Sequence, residues 1–150
     1  MPSQYITYMI IFTLGLSMVI ITNNMFQTIS DQFRLNVAEI ELTQILELIQ
    51  MQIQQTMLFY SDSNQTIEQQ FELPPQIGQR YKYSIEITNS TRNQIILYGV
   101  SSNNDIYKSV SFSLGEKYII RITDSSFEST NLILKLLIEK NVNEITITIS

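Results

Sequence analysis

The sequence predicts an α+β protein, in which a long N-terminal helix precedes a small antiparallel β-sandwich. Three observations predict it. The first 30 of 150 residues carry no charged side chain. From Ser30 to about Tyr60 there is neither Gly nor Pro. Beyond Tyr60 the apolar spacing falls from about 3.6 residues to about 2. The expected organisation is a transmembrane helix over 1–28, an amphipathic helix over 29–60 and an exported β-domain over 61–150.

The first element follows from length and hydropathy. Tyr5–Ile21 is interrupted only by Thr7, Thr13, Gly15 and Ser17, and the run extends to Phe26. About 22 residues at 1.5 Å each give roughly 33 Å of helix, which matches a bilayer core. Tyr5, Ile10, Phe12, Leu14, Leu16, Val19 and Ile21 are its candidate lipid-facing residues. Small hydroxyls are tolerated because they bond back to helix carbonyls. Tyr5 and Tyr8 sit where an interfacial aromatic pair lies. A cleaved secretory signal fits poorly, since no basic n-region and no small-x-small site is present. Only Arg34 follows closely, among Asp31, Glu39, Glu41 and Glu47. The charge balance weakly favours a cytoplasmic N-terminus.

In the second element, Ile29, Phe33, Val37, Ile40, Ile45, Leu48 or Ile49, Ile53 and Met57 recur every three to four residues. That stripe is expected to pack on the following domain, or on copies of the helix itself. Ser30-Asp31 caps a separate start if the helix breaks near Asn23-Asn24. The alternative is one continuous helix.

The third element is a series of short strands: Thr66–Leu73, Tyr81–Thr88, Gln94–Val100, Ile106–Leu114, Lys117–Thr123, Leu132–Glu139 and Glu144–Ser150. Turns are expected at Ser61–Asn64, Asn89–Asn93, Ser101–Asp105, Gly115-Glu116, Asp124–Ser126 and Asn141–Asn143. Pro74-Pro75 marks a bend. Leu132–Ile138 is either a central strand buried on both faces, a strand partly covered by the helix, or a short helix. Glu144–Ser150 is a candidate edge strand, free to pair with a neighbour, or an ordinary internal one.

Composition narrows the chemistry. The chain has no His and no Cys, so imidazole and thiolate catalysis and zinc fingers are excluded. Four Gly are too dispersed for a phosphate loop. A net charge of −5 argues against nucleic acid and against anionic lipid bound by charge. Charged residues are only 15%; polarity comes instead from 16 Ser, 13 Thr, 11 Asn and 14 Gln. Glu68 and Glu72 would lie about 13 Å apart along one strand, too far for a glycosidase pair. Asp62, Asp105 and Asp124 fall in separate turns without a calcium-loop pattern. A Lys108–Ser109 dyad is a chance adjacency at this serine frequency. No cofactor is expected. Two sequons, Asn64-Gln65-Thr66 and Asn89-Ser90-Thr91, make Asn64 and Asn89 candidate N-glycosylation sites.

A hydrophobic helix running into an amphipathic one, then a β-domain entered through Leu73-Pro-Pro-Gln-Ile-Gly-Gln-Arg-Tyr81, resembles archaeal type IV pilin-like proteins. Filament subunits and stator-type accessory proteins of the archaellum are the most similar part of that group. The chain departs from pilins in Met1–Tyr5, which has no basic residue, and in lacking a Glu at the head of the apolar run. That departure implies an uncut anchor and favours an accessory protein. The resemblance implies a non-enzymatic, single-pass envelope protein whose partners are the membrane, other envelope or filament proteins and itself. The alternative is a membrane-tethered extracellular binding module, with Tyr81, Tyr83, Tyr98, Tyr107 and Tyr118 as candidate pocket residues.

Overall fold

The structure is a computed structural model that describes residues 2–59, 64–91, 93–115, 118–141 and 144–150. The chain divides into two compact units, Met1–Leu35 and Asn36–Ser150. Helix α1 runs from Pro2 to Phe59, so of the two expectations at Asn23-Asn24 the continuous one holds. Seven strands follow: β1 (Gln65–Glu72), β2 (Tyr83–Thr91), β3 (Gln94–Ser101), β4 (Tyr107–Ser113), β5 (Ile119–Glu128), β6 (Ile133–Lys140) and β7 (Glu144–Ile149). The fold is α+β, with every expected strand present within a few residues. The expected turns at Ser61–Ser63, Glu116 and Val142-Asn143 lie outside the described residues.

The strands hydrogen-bond in the order β1-β6-β7-β5-β2-β3-β4. This amounts to two four-stranded, antiparallel-rich sheets, β1-β6-β7-β5 and β5-β2-β3-β4, that share β5. Only β5 and β7 run parallel among the described strands. Burial alternates strictly: Leu134, Leu136, Ile138 on β6, Ile145, Ile147, Ile149 on β7, Tyr83, Ile85, Ile87 on β2 and Ile95, Leu97 on β3 face inward. Seven strands at about 4.8 Å are some 34 Å wide, whereas one helix is about 10 Å across. Burying every inner face therefore requires the two sheets to close toward each other as well as onto the helix.

The hinge of that closure is β5. Ile120 pairs with Ile145 and Ile122 with Ile147, but Ser125 pairs with Ile149, so β5 carries one extra residue. The bulge reverses side-chain parity along the strand. Ile120 faces inward before it and Phe127 after it, both nearly fully buried. Without the bulge Phe127 would point to solvent. Asp124–Ser126, expected as a turn, is thus strand, and β5 runs on to pair its end with β2 through Phe127 and Ile85.

Two expectations left open are decided. β7 is not an edge strand, because it sits between β6 and β5. β6 is not buried on both faces: Ile133, Lys135 and Glu139 are exposed while Leu134, Leu136 and Ile138 are buried, so of the readings left open it is the strand covered on one side. The edges are β1 and β4.

Within the second unit the helix buries Ala38, Leu42, Ile45, Leu46, Ile49, Ile53 and Thr56. This stripe differs from the expected one in its first half, since Ile29, Phe33 and Ile40 are exposed. The helix is apolar on two opposite faces there, and periodicity alone does not say which face meets a sheet. Ala38 is the only alanine in the chain and Gly99 on β3 has no side chain, so both favour close approach. A Cβ on Gly99 would stand 2.7 Å from Leu42 Cδ1 and 2.9 Å from its Cγ. Polar groups fasten the same interface. Lys108 Nζ lies 2.8 Å from Glu39 Oε2. The Gly78 N–H donates to Glu41 Oε2 at 2.6 Å, in a turn where Gly78 and Gln79 both have positive φ. Tyr83 is buried, its hydroxyl donating to the Pro74 carbonyl at 2.7 Å, so the Pro74-Pro75 bend is tied to β2.

Two outcomes follow for the detergent-solubilised full chain. Gly99→Ala forces Leu42 out of place in a filled core and should cost about 1–3 kcal/mol, read as a lower melting temperature; an unchanged melt would contradict the packing. Burial raises the Tyr83 pKa from 10.0 to about 12. The neutral phenol is the favoured folded form, so its contribution is complete below pH 10 and is lost as pH rises through about 12. Denaturant midpoints should fall over that window, and Tyr83→Phe should flatten the fall.

Candidate membrane-spanning segment

The first unit carries the feature with the clearest chemical meaning. From Gln4 to Arg34 every described residue is exposed. Fifteen large apolar side chains between Tyr5 and Phe26 stand uncovered, including Tyr5, Ile10, Phe12, Leu14, Leu16, Val19 and Ile21. All seven expected lipid-facing residues are therefore on the open surface, each at least half exposed. At about 1.5–3 kcal/mol per large side chain, leaving fifteen in water costs tens of kcal/mol. A domain's whole stability is about 5–15 kcal/mol. This surface has to be covered by an apolar phase or an apolar partner.

Four hydroxyls of the same stretch are satisfied within the helix. Thr13 Oγ1 donates to the Met9 carbonyl at 2.7 Å, Ser17 Oγ to Thr13 at 2.8 Å, Thr22 Oγ1 to Met18 at 2.8 Å and Thr28 Oγ1 to Asn24 at 3.0 Å. Each bond spans one turn, as expected from the sequence, and removes a donor that hydrocarbon cannot satisfy. Nothing lies within 4 Å of a Cβ built on Gly15, so that glycine keeps an open surface. Among the described residues, one helix is long and apolar enough to cross a membrane.

The other candidates scatter. Tyr81 and Tyr83 are core residues. Tyr98 and Tyr107 stack on each other at 5.8 Å. Tyr118 lies beneath the Lys140 ammonium at 5.1 Å. These five rings do not converge on one pocket. Lys108 turns inward to Glu39 while Ser109, the next residue of the strand, is exposed, so the two cannot act as a dyad. Glu68 accepts from Gln70 Nε2 at 3.2 Å. No three Asp or Glu side chains stand together among the described residues; Asp62 and the side chain of Asp124 lie outside them.

The sequons differ in setting. Asn64 is exposed just before β1, and Thr66 is exposed on that edge strand. Asn89 lies on the interior strand β2, and its Nδ2 donates to the Ile120 carbonyl of β5 at 3.3 Å. Sequence reasoning missed this bond, since a side chain's reach to a strand 31 residues away leaves no local signal. Comparison with protein-family models, with curated proteins and with solved structures gave no match.

Proposed function

We propose that this chain is a non-enzymatic, single-pass structural protein of the cell envelope, type IV pilin-like, that anchors or forms part of an archaeal surface filament. In this reading the N-terminus is cytoplasmic and the β-domain is outside. The observation that carries it is the uncharged helical surface between Gln4 and Phe26, apolar on all sides with the hydroxyls of Thr13, Ser17 and Thr22 bonded internally. A soluble core helix buries one side, as the second half of α1 does with Leu42, Leu46 and Ile49. A helix surface apolar all round suits lipid. The order of elements, apolar helix then helix packed on an antiparallel-rich β-domain, supports the pilin-like assignment.

The anchoring step is tested by fractionation of cells expressing the full chain. It should sediment with membranes, resist high-salt and alkaline washes, and leave only with detergent. Recovery in the soluble fraction after gentle lysis would defeat the proposal. Leu16→Arg places a charge at the centre of the span, at a cost of about 2.5–3.5 kcal/mol on the insertion scale. It should lower the membrane-inserted fraction strongly, whereas Leu58→Arg, beyond the span, should not. Protease added to intact cells should digest the β-domain.

A further inference from the structure

We propose that Asn64 is the glycan acceptor of this protein and that Asn89, although it heads a matching sequon, is a structural clasp that stays unmodified. The proposal rests on the reading that the β-domain is exported. Transfer to a sequon joins the Asn Nδ2 to the anomeric carbon of an oligosaccharide activated on a lipid phosphate. The C1–O bond to phosphate breaks, its electron pair leaves with the lipid phosphate, and the amide gives up one proton. The reaction therefore needs an approachable Nδ2 and a segment that the host's transferase can grip as extended chain.

Asn64-Gln65-Thr66 offers both. Asn64 is exposed and precedes the strand, and Thr66 is exposed at its start. β1 ends the strand order, with β6 its neighbour on one side and, among the described residues, no strand on the other. The transferase can take this segment along a free edge without breaking a ladder.

Asn89-Ser90-Thr91 is also exposed, but its Asn Nδ2 is engaged in a hydrogen bond and its strand is flanked on both sides. β2 is flanked by β3 on one side and β5 on the other. The β2–β5 ladder covers only Ser84–Glu86 against Ser126–Glu128. Beyond it β5 turns to its partner β7, and there the Asn89 amide reaches across to the Ile120 carbonyl. One side-chain bond thus bridges the two sheets where backbone pairing stops. β2 also bulges at this point, with Asn89 opposite Ile95 and Thr91 opposite Gln94. Transfer of a glycan to the Asn89 Nδ2 would break this bridge.

The full chain is expressed in a host that N-glycosylates exported proteins at Asn-x-Ser/Thr, then extracted with detergent. Intact mass and glycopeptide spectra are read, with a resident exported glycoprotein as control. The expected result is a mass increment on the Asn64 peptide alone. It should be lost completely in Asn64→Gln and kept in Asn89→Gln, which should also melt lower than the parent. Sugar on Asn89, or an unmodified Asn64 in a β-domain that protease on intact cells shows to be outside, overturns the proposal. An unmodified chain whose β-domain is protected from that protease also overturns it, and then the failure is that of the export reading.

Discussion

The burial of one helix stripe against the inner face of the sheets is the constraint on which the second unit depends. Ala38, Leu42, Ile45, Leu46, Ile49 and Ile53 supply the stripe. A single helix cannot cover seven strands, so the sheets bend to cover the remainder, and the bend falls at the bulge in β5. The close approach of Leu42 to Gly99 belongs to the same logic, because the helix side chains fill the space that a larger strand residue would occupy. Glu39 and Glu41 then fix the helix to β4 and to the β1–β2 turn through Lys108 and the Gly78 amide.

Much of this fold was legible in the sequence because the period-2 alternation is strict. Tyr83, Ile85 and Ile87, or Ile145, Ile147 and Ile149, admit no other register. What was not legible depended on distant partners. Asp124-Ser125-Ser126 has the composition of a turn, yet it lies in strand because the bulge brings Phe127 to the core. The alternating Ile-Thr run of β7 leaves an edge or an internal place open by composition, and its parallel pairing with the distant β5 decides for the internal one. The exposed Ile40 and buried Leu42 are equally good helix-face residues until the sheet selects one of them.

The candidate site was legible for a simpler reason. A lipid-compatible helix is defined by what it lacks, and an uncharged stretch of 30 residues is visible without knowing any contact. The internal bonds of Thr13, Ser17 and Thr22 follow from local geometry, so the sequence anticipated them too. The Asn89 bridge stands at the other extreme. Its meaning depends on the carbonyl of Ile120, and so on the β5 path that the bulge sets.

The outward faces explain how so few charges suffice. Ser109, Ser111 and Ser113 on β4, and Thr146 and Thr148 on β7, alternate with inward apolar residues. Thr is branched at Cβ, so it satisfies strand geometry while presenting a hydroxyl outward. Thr148 and Thr123 bring such hydroxyls to 3.4 Å across the bulged β5–β7 pair. A surface polarised by hydroxyls and amides does not change its charge with pH, unlike one built on Lys and Glu. The cohesion of the β-domain therefore rests chiefly on packing and neutral hydrogen bonds, with Glu39 and Glu41 adding charged contacts to the helix interface.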